Sequence, residues 1–210
     1  MKYNFVTIEG NIGAGKTSLA TMLANEFNAK KLFEEFTNNK YLPHFFEDIS
    51  KYAFPTELFF MAERYQQLNS ALQGKGLFNQ VTITDYLFTK SLIFAKANLE
   101  DHEYQLYYKL FNIINPRLPK PDIVVYLYAN IDRLFENINK RGRSFEKNIT
   151  RQYLEKIQEG YLTYFKQQPK LTTLIVDVNT IDFVRKKEDY QKLKNLLSIK
   201  YDKGLNYVTI

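Results

Sequence analysis

The first residues with recognisable chemistry form a glycine-rich loop near the start of the chain. Residues 10–17 match the pattern G-x-x-x-x-G-K-[ST] and follow an apolar run at residues 5–8. The backbone of such a loop winds around an anion, so that its amide groups point at phosphate oxygens. We expect Lys16 to reach the β- and γ-phosphates of a nucleoside triphosphate and Thr17 to bind Mg²⁺. The other predicted phosphate-binding residues are Gly10, Asn11, Ile12, Gly13, Ala14 and Gly15.

Two acidic segments could supply further parts of a phosphoryl-transfer site. When the acceptor is a hydroxyl group, such a reaction needs a carboxylate to take its proton. Glu34 and Glu35 follow the second predicted strand, and Asp85 follows the third. Adjacent side chains that leave a strand point in opposite directions, so only one of the two glutamates should face the site. Asp85 fits a Mg²⁺ ligand and a helix N-cap about equally well from its spacing alone.

A basic segment between two predicted helices could close over the phosphates. Arg141 and Arg143 flank Gly142 in this segment. Guanidinium groups on a mobile connection can neutralise the charge that develops in a phosphoryl-transfer transition state. The same residues could also form a solvated or nucleic-acid-binding basic loop. The nearby phosphate loop favours the interpretation as a lid.

The elements that must position these residues alternate between strands and helices, which predicts an α/β domain with a parallel sheet. Five strands are predicted, at residues 5–8, 31–33, 81–84, 123–127 and 173–176. Helices are predicted at residues 16–27, 55–72, 90–98, 103–115, 131–140 and 150–167. Pro55 should lie in the first turn of the second helix. The tail after about residue 200 is weakly patterned, so no element is predicted there.

Composition narrows the class of protein. The chain has 210 residues, of which 45% are hydrophobic and 25% charged, as in globular proteins. It contains no cysteine, and no apolar run approaches the roughly 20 residues that span a membrane. The net charge of +6 is scattered along the chain, which favours a solvated surface over a nucleic-acid-binding face. We expect a cytoplasmic protein of one domain, residues 1–210, without membrane or nucleic-acid partners.

In this order, the segments resemble the deoxynucleoside kinase family, and above all its bacterial deoxyadenosine/deoxyguanosine kinases. The resemblance extends over about residues 2–183, and its specificity comes from the combination of motifs, since the phosphate loop alone is generic. The motifs are the phosphate loop, Glu34-Glu35, the segment from Phe54-Pro55-Thr56-Glu57 to Arg64-Tyr65-Gln66-Gln67, Asp85, and Arg141-Gly142-Arg143 with Glu146. The resemblance implies a P-loop kinase fold with helices on both faces of the sheet and a lid at about residues 140–149.

The resemblance also implies a reaction, the ATP-dependent phosphorylation of the 5′-hydroxyl of a deoxyribonucleoside with Mg²⁺. Glu34 aligns with the family carboxylate that deprotonates this hydroxyl. Asp85 aligns with an acid that coordinates Mg²⁺ and is sometimes described as the proton acceptor. Arg141 and Arg143 align with the lid arginines. Relatives pair through helices, so a homodimer is implied as well.

Further residues are assigned to substrate binding by the same resemblance. Asp182 and Phe183 resemble part of a loop that packs on the adenine of ATP. Glu146 aligns with the acid that binds the 3′-hydroxyl of the sugar, and Arg64 with an arginine that contacts the acceptor base. Phe46 stands where relatives usually carry a tyrosine that bonds the 3′-hydroxyl, which leaves more of that contact to Glu146.

The chain departs from the family pattern at two more positions of the acceptor site. Glu57 replaces a glutamine that hydrogen-bonds the base, and an ionised carboxylate can only accept. It could accept from the exocyclic amine of adenine or be a solvated helix residue. Tyr86 replaces an arginine, so we expect Lys90, one helical turn on, to supply the positive charge. Four aromatic residues could stack on the base or belong to the core: Tyr52, Phe59, Phe60 and Phe88.

Several alternatives remain open at this point. Purine specificity, with deoxyadenosine before deoxyguanosine, follows from the likeness to the bacterial relatives, with Glu57 as modest physical support. The first alternative is a kinase of pyrimidine or broad specificity. A nucleoside monophosphate kinase of the thymidylate kinase type shares the fold, but Glu34 and Glu35 would repel its acceptor phosphate. A P-loop ATPase that acts on nucleic acid would use the basic charge but leaves Glu34, Arg64 and Glu146 without a purpose.

Overall fold

A sheet of parallel strands organises the fold. The computed structural model describes residues 1–73 and 81–210. Within these ranges the strands are β1 (Phe5–Gly10), β2 (Lys30–Leu32), β3 (Thr82–Thr84), β4 (Ile123–Tyr128), β5 (Thr172–Asp177) and β6 (Gly204–Thr209). They lie in the order β2-β3-β1-β4-β5-β6, and every neighbouring pair is parallel. The strand order therefore changes direction at β1, and crevices for ligands form at such points in open α/β sheets.

Helices make the connections between the strands. They are α1 (Lys16–Glu26), α2 (Leu42–Phe45), α3 (Ile49–Gln73), α4 (Lys90–Asn98), α5 (Asp101–Ile114), α6 (Ile131–Arg141), α7 (Arg151–Lys166) and α8 (Lys187–Leu196). Short 3₁₀ turns lie after α5, at Asn115–Arg117, and after α6, at Ser144–Glu146. None of the helices in the described ranges has both the length and the apolar character to cross a membrane.

Strand β4 shows that helices cover both faces of the sheet. Ile123, Val125 and Leu127 pack in one hydrophobic cluster with side chains of α1, α6 and α8. The alternating residues Val124 and Tyr126 pack in another cluster with α4 and α7. All five side chains are buried. A strand buried on both faces is apolar along its whole length, which explains why β4 is easy to predict from the sequence.

The predicted α/β class and parallel sheet are confirmed, but the sheet has six strands within the described residues and the prediction of five is wrong. The additional strand, β6, lies in the tail for which the sequence pattern predicts no element. It forms the edge of the sheet and pairs with β5 from Gly204 to Thr209. Most of its residues are partly exposed. An edge strand takes its order from the neighbouring backbone, so it needs no continuous apolar run.

The helix bounds also correct the sequence prediction. Helix α3 begins at Ile49, so Pro55 lies inside it and the predicted position in the first turn is wrong. Helices α2 and α8 fall where no helix is predicted. The first has only four residues, too few to show helical periodicity. The ends of the other predicted helices and strands agree with the structure to within about two residues, which is usual for such boundaries.

The phosphate loop is packed directly against α6 and the segment after β5. A Cβ atom on Gly13 would lie 2.7 Å from the carbonyl oxygen of Leu134, and one on Gly15 would lie 2.8 Å from Cζ of Phe183. Both glycines have left-handed backbones, with φ of +85° and +90°. The side-chain amide of Asn137 donates to the carbonyl oxygen of Gly13 at 2.8 Å. Glycine is needed at both positions for backbone conformation and for space.

We predict that Gly13→Ala destabilises the fold strongly, because the new methyl group meets a backbone carbonyl that cannot move without α6. The combined strain and overlap should lower the free energy of unfolding by about 3 kcal/mol or more. Gly142→Ala is the matched control, since its φ is +66° but its Cβ would come no closer than 3.9 Å to a neighbouring atom. It should cost only about 1–2 kcal/mol. Chemical denaturation of the three proteins tests this, and equal losses would contradict the prediction.

Candidate active site

The predicted site residues gather at the edge of the sheet where β1, β2 and β3 end. The phosphate loop follows β1, Glu34 follows β2 by two residues, and Asp85 follows β3. A cavity opens there, bounded also by α3, α4 and the predicted lid. The predicted site residues that line it are Ile12, Lys16, Thr17, Glu34, Phe46, Glu57, Phe60, Arg64, Asp85, Lys90, Arg141, Arg143 and Glu146.

Glu34 lies between two buried cations. Arg64 donates to Oε1 from Nε at 2.8 Å and from Nη2 at 2.5 Å. Lys90 donates to Oε2 at 2.6 Å. The side chains of Arg64 and Lys90 are only 3% and 7% exposed. Burial acts to raise the pKa of Glu34, but Lys90 and Arg64 outweigh it and hold the pKa far below its ordinary value. The carboxylate is therefore ionised throughout the neutral range.

The two cations are held in turn by other contacts. Nη1 of Arg64 donates to the hydroxyl of Ser91 at 2.6 Å, and its guanidinium group lies over the ring of Phe60 at 5.2 Å. Lys90 begins α4, so its position follows from the helix. The predicted role of Lys90 as the replacement cation stays a prediction, and its contact with Glu34 supports it. Arg64 is directed at Glu34, whereas the resemblance assigns it to the base.

Glu35 points away from the cavity, as the alternation of adjacent side chains predicts. It is exposed and lines a groove between β2 and α3. Glu34 is therefore the one of the pair that faces the predicted site.

Asp85 and Thr17 lie side by side in the wall of the cavity. The hydroxyl of Thr17 donates to Oδ2 of Asp85 at 2.5 Å, and the amide of Glu34 donates to Oδ1 at 2.8 Å. Asp85 is 3% exposed. The N-cap of the following helix is Thr89, so Asp85 does not take the alternative role of a cap.

This pair fits a Mg²⁺ site that is completed by phosphate. A hydroxyl group and a carboxylate are oxygen ligands, and Mg²⁺ usually takes one or two of these from the protein and the rest from phosphate and water. The described residues include no group of three or more acids, histidines or cysteines that could hold a metal by themselves. A cation at Thr17 and Asp85 would therefore depend on a bound phosphate for further ligands.

The ammonium group of Lys16 lies over the phosphate loop. It donates to the carbonyl oxygen of Asn11 at 2.9 Å. Burial and the nearby charge of Lys90 lower the pKa of Lys16 to about 8, against the opposing effects of the neighbouring acids. Asn11 itself is buried, and its side-chain amide donates to the carbonyl oxygen of Leu154 in α7 at 2.8 Å. The loop is thereby attached to α7 as well as to α6.

The other end of the cavity contains a buried acid, Glu57. Only 2% of its surface is exposed, which excludes the alternative of a solvated helix residue. The side-chain amide of Asn98 donates to Glu57 at 2.7 Å and to the hydroxyl of Tyr153 at 3.2 Å. Burial raises the pKa of Glu57 to about 7, although Arg64 opposes the shift. Both protonation states of Glu57 are therefore populated near neutral pH.

The structure separates the predicted aromatic contacts into two groups. Phe46 and Phe60 line the cavity. Phe88 does not, because it stacks on Phe111 in the core at a ring distance of 5.1 Å. Phe59 is also absent from the lining, and its ring lies edge-on to Phe60.

Tyr52 and Tyr86 do not line the cavity, and their assignment to substrate binding stays a prediction without support from this geometry. The ring of Tyr52 packs on His44 at 5.4 Å. Tyr86 is 1% exposed, and its hydroxyl donates to the side chain of Gln67 at 2.9 Å. Because Tyr86 follows Asp85 directly, its side chain points the opposite way, into the cluster formed with α3, α4 and α5.

The predicted lid places two arginines over the cavity, paired with a buried acid. Arg141 donates to Glu146 from Nη2 at 2.6 Å and from Nε at 3.2 Å. Arg143 donates to the same carboxylate at 3.4 Å, and its guanidinium group lies 4.0 Å from the ring centre of Phe36. Glu146 is 5% exposed. Gly142, with φ of +66°, ends α6 and turns the chain into this arrangement.

A second depression lies on the other side of the phosphate loop. Gly13 and Gly15 form part of its wall, together with Asp182 and Phe183. The segment predicted to pack on adenine therefore adjoins the loop predicted to bind phosphate. Its role in nucleotide binding stays a prediction.

The lining or supporting residues that the sequence prediction missed include Phe36, Asn98 and Tyr153. Phe36 could have been found, because it follows Glu34 by two residues and side chains two apart share a face in extended chain. Asn98 and Tyr153 carry no local signal. They reach Glu57 only through the packing of α4 and α7.

Comparisons with known proteins agree with this geometry. A family model for deoxynucleoside kinases matches residues 6–200. The chain is 39% identical to the deoxyguanosine kinase of Bacillus subtilis, over 90% of this chain and 93% of that one. It is 30% identical to the deoxyadenosine kinase of Dictyostelium discoideum, over 94% of this chain and 79% of that one. The solved structure of a deoxyadenosine kinase from M. mycoides with bound dATP has a TM-score of 0.81 and 25% identity, and covers 93% of this chain and 100% of that chain.

We predict that Glu57 makes the stability of the protein depend on pH. Its pKa is about 7 in the folded state and near 4.5 in the unfolded state, so the folded state binds the proton more tightly. Stability from this group is complete below pH 4.5 and is lost as pH rises to about 7. The free energy of unfolding of Glu57→Gln, relative to wild type, should therefore rise by up to about 3 kcal/mol between pH 4.5 and pH 8.

Denaturation at several pH values measures this difference. Glu159→Gln, at an exposed position of α7, is the matched control, and its difference from wild type should stay constant. A constant difference for Glu57→Gln as well would show that folding does not raise the pKa of Glu57.

Proposed function

The chain belongs to the deoxynucleoside kinase family, and we propose that it transfers the γ-phosphoryl group of ATP to the 5′-hydroxyl of a purine deoxyribonucleoside. One observation carries this proposal. Lys16 and Thr17 of the phosphate loop face the same cavity as Glu34 and the buried Glu57. A phosphate donor at one end and a nucleoside at the other would meet beside Glu34.

The phosphate loop would hold the donor. The amide groups of residues 13–17 and the ammonium group of Lys16 would bind its phosphate oxygens. Thr17 and Asp85 would hold Mg²⁺, which neutralises charge on the β- and γ-phosphates when it is bound. The amide of Glu34 donates to the carboxylate of Asp85, and this contact keeps Asp85 beside the acceptor end of the cavity.

Glu34 would orient the 5′-hydroxyl and receive its proton. Its oxygens already accept from Arg64 and Lys90, but each carboxylate oxygen has two lone pairs, so one remains for the hydroxyl group. A carboxylate with so low a pKa is a weak base. Phosphoryl transfer through a loose transition state requires little proton removal before the new bond forms. A late proton transfer to Glu34 is consistent with both facts.

The lid arginines would neutralise the charge on the γ-phosphoryl group during its transfer. Arg141 and Arg143 already lie at the cavity and can turn from Glu146 to a phosphate without a change of fold. Glu146 would then accept from the 3′-hydroxyl of the sugar. Phe46 offers no hydrogen bond, so this contact depends on Glu146.

Glu57 would recognise the base. When ionised it can accept from the exocyclic amine of adenine, and when protonated it can also donate to the oxygen or ring nitrogen of guanine. We therefore place deoxyadenosine first and deoxyguanosine second above neutral pH. The relatives named above include kinases of both purines. A monophosphate acceptor is disfavoured because its phosphate would lie against the ionised carboxylate of Glu34.

A homodimer, a cytoplasmic location, a single domain over residues 1–210 and the absence of nucleic-acid partners remain predictions of the same proposal.

We predict that Glu34→Gln lowers kcat by about 10²–10⁴-fold, the range for loss of general acid–base catalysis. Binding of ATP should change by no more than about threefold, because Glu34 faces the acceptor. Glu35→Gln is the matched control and should retain wild-type turnover, since Glu35 lies outside the cavity. Steady-state kinetics and calorimetric titration with ATP give the two numbers. An unchanged kcat would move the base to Asp85 or remove it from the mechanism.

The proposed function is tested with a phosphorylation panel of the four deoxyribonucleosides, their monophosphates and adenosine, each with ATP and Mg²⁺. We expect the two purine deoxyribonucleosides to have the highest kcat/KM. The ratio of deoxyadenosine to deoxyguanosine should rise between pH 6 and pH 8 as Glu57 ionises, and Glu57→Gln should remove this rise. Faster turnover of a monophosphate, or of pyrimidines, would reject the proposal in favour of the corresponding kinase.

A further inference from the structure

Glu9 is a fully buried acid that takes no part in the chemistry described above. It lies at the end of β1, directly before the phosphate loop, and none of its surface is exposed. It does not line the cavity. A buried carboxylate without partners would be strongly unfavourable, so the contacts of Glu9 indicate what it does.

The carboxylate of Glu9 accepts three hydrogen bonds, from the segment after β3, from α7 and from the adjacent amide of its own strand. The amide of Leu87 donates to Oε1 at 2.6 Å. The amide of Gly10 donates to Oε2 at 3.1 Å, and the hydroxyl of Tyr161 in α7 donates to the same oxygen at 2.9 Å. Burial raises the pKa of Glu9 above its ordinary value, against the opposing effects of Lys90, Lys16, Leu87 and Tyr161. Two amide donors, which cannot accept, favour the ionised form.

These contacts connect the two halves of the proposed Mg²⁺ pair. Gly10 opens the loop that carries Thr17, and Leu87 lies two residues after Asp85. One carboxylate therefore fastens the start of the phosphate loop to the segment after β3. Its third partner, Tyr161, is held rigidly, because its ring packs between Tyr126 at 5.2 Å and Phe165 at 6.0 Å.

We propose that Glu9 is a positioning residue of the phosphoryl-donor site, which sets the separation between the phosphate loop and Asp85. This inference rests on the proposed function for the identity of the donor. Glu9 touches neither donor nor acceptor and acts through Thr17 and Asp85. A merely structural role would change the melting temperature and leave the affinity of the folded protein for ATP unaltered.

The test compares the affinity for ATP with Mg²⁺ and with EDTA, by calorimetric titration of wild type and Glu9→Gln. The affinity ratio is the dissociation constant for ATP with EDTA divided by the dissociation constant with Mg²⁺. It measures how much Mg²⁺, held by Thr17 and Asp85 together with a bound phosphate, strengthens the binding of ATP. We expect Glu9→Gln to reduce this ratio at least tenfold and to lower kcat at least tenfold, since small displacements in a site have effects of this size. The KM for the deoxyribonucleoside should change by less than threefold. An unchanged ratio in folded Glu9→Gln would overturn the inference.

Two further variants keep the test decisive if Glu9→Gln does not fold. Tyr161→Phe removes one of the three donors and should reduce the ratio two- to threefold, and an unchanged ratio would overturn the inference. Tyr126→Phe is its matched control, because the buried hydroxyl of Tyr126 has no hydrogen-bond partner among the described residues. It should leave the ratio at the wild-type value, and an equal loss in both variants would also overturn the inference.

The titration separates this inference from the proposed function. It contains no acceptor, so it can succeed even if the phosphorylation panel shows no turnover of deoxyribonucleosides. That result would reject the proposed function and support the role of Glu9. Normal turnover of deoxyribonucleosides by the wild type, together with an unchanged affinity ratio in Glu9→Gln, would support the proposed function and overturn the role of Glu9.

Discussion

The pairing of Glu34 with Arg64 and Lys90 is the interaction on which the rest of the site depends. Glu34 follows β2, Arg64 comes from α3 and Lys90 begins α4, so one carboxylate joins three elements. Removal of one partner from a buried ion pair leaves an uncompensated charge, which typically costs about 3–5 kcal/mol. The charges that a phosphoryl-transfer site needs are therefore the same charges that hold the walls of its cavity together.

The fold is largely predictable because its central strands are buried on both faces. β4 is a continuous apolar run, and β1 is apolar from Phe5 to Ile8 except for Thr7. β6 could not be predicted, since an edge strand with most residues partly exposed is specified by its pairing with β5. The early start of α3 was hidden by Pro55, which is more common in the first turn of a helix than inside it.

Some site residues can likewise be predicted from the local sequence, whereas others depend on contacts between distant segments. The phosphate loop, Glu34 and Asp85 are each followed or preceded by a strand, so local sequence places them at one sheet edge. The contact of Asn98 with Glu57 joins residues 41 apart and depends on how α3 and α4 pack. For Tyr86 the resemblance supplies a position in the sequence without the direction of the side chain, which packs in the core.

The contact between the phosphate loop and α6 has a consequence for how sequences of this type can diverge. Gly13 is confined by the carbonyl oxygen of Leu134, an atom that every residue at position 134 would provide. The constraint therefore falls on the path of the helix backbone and hardly on the identity of that side chain. Substitutions along the outer face of α6 would be tolerated in the course of evolution, whereas an insertion or deletion within it would rotate a different carbonyl group towards Gly13 and displace Arg141 at the same time.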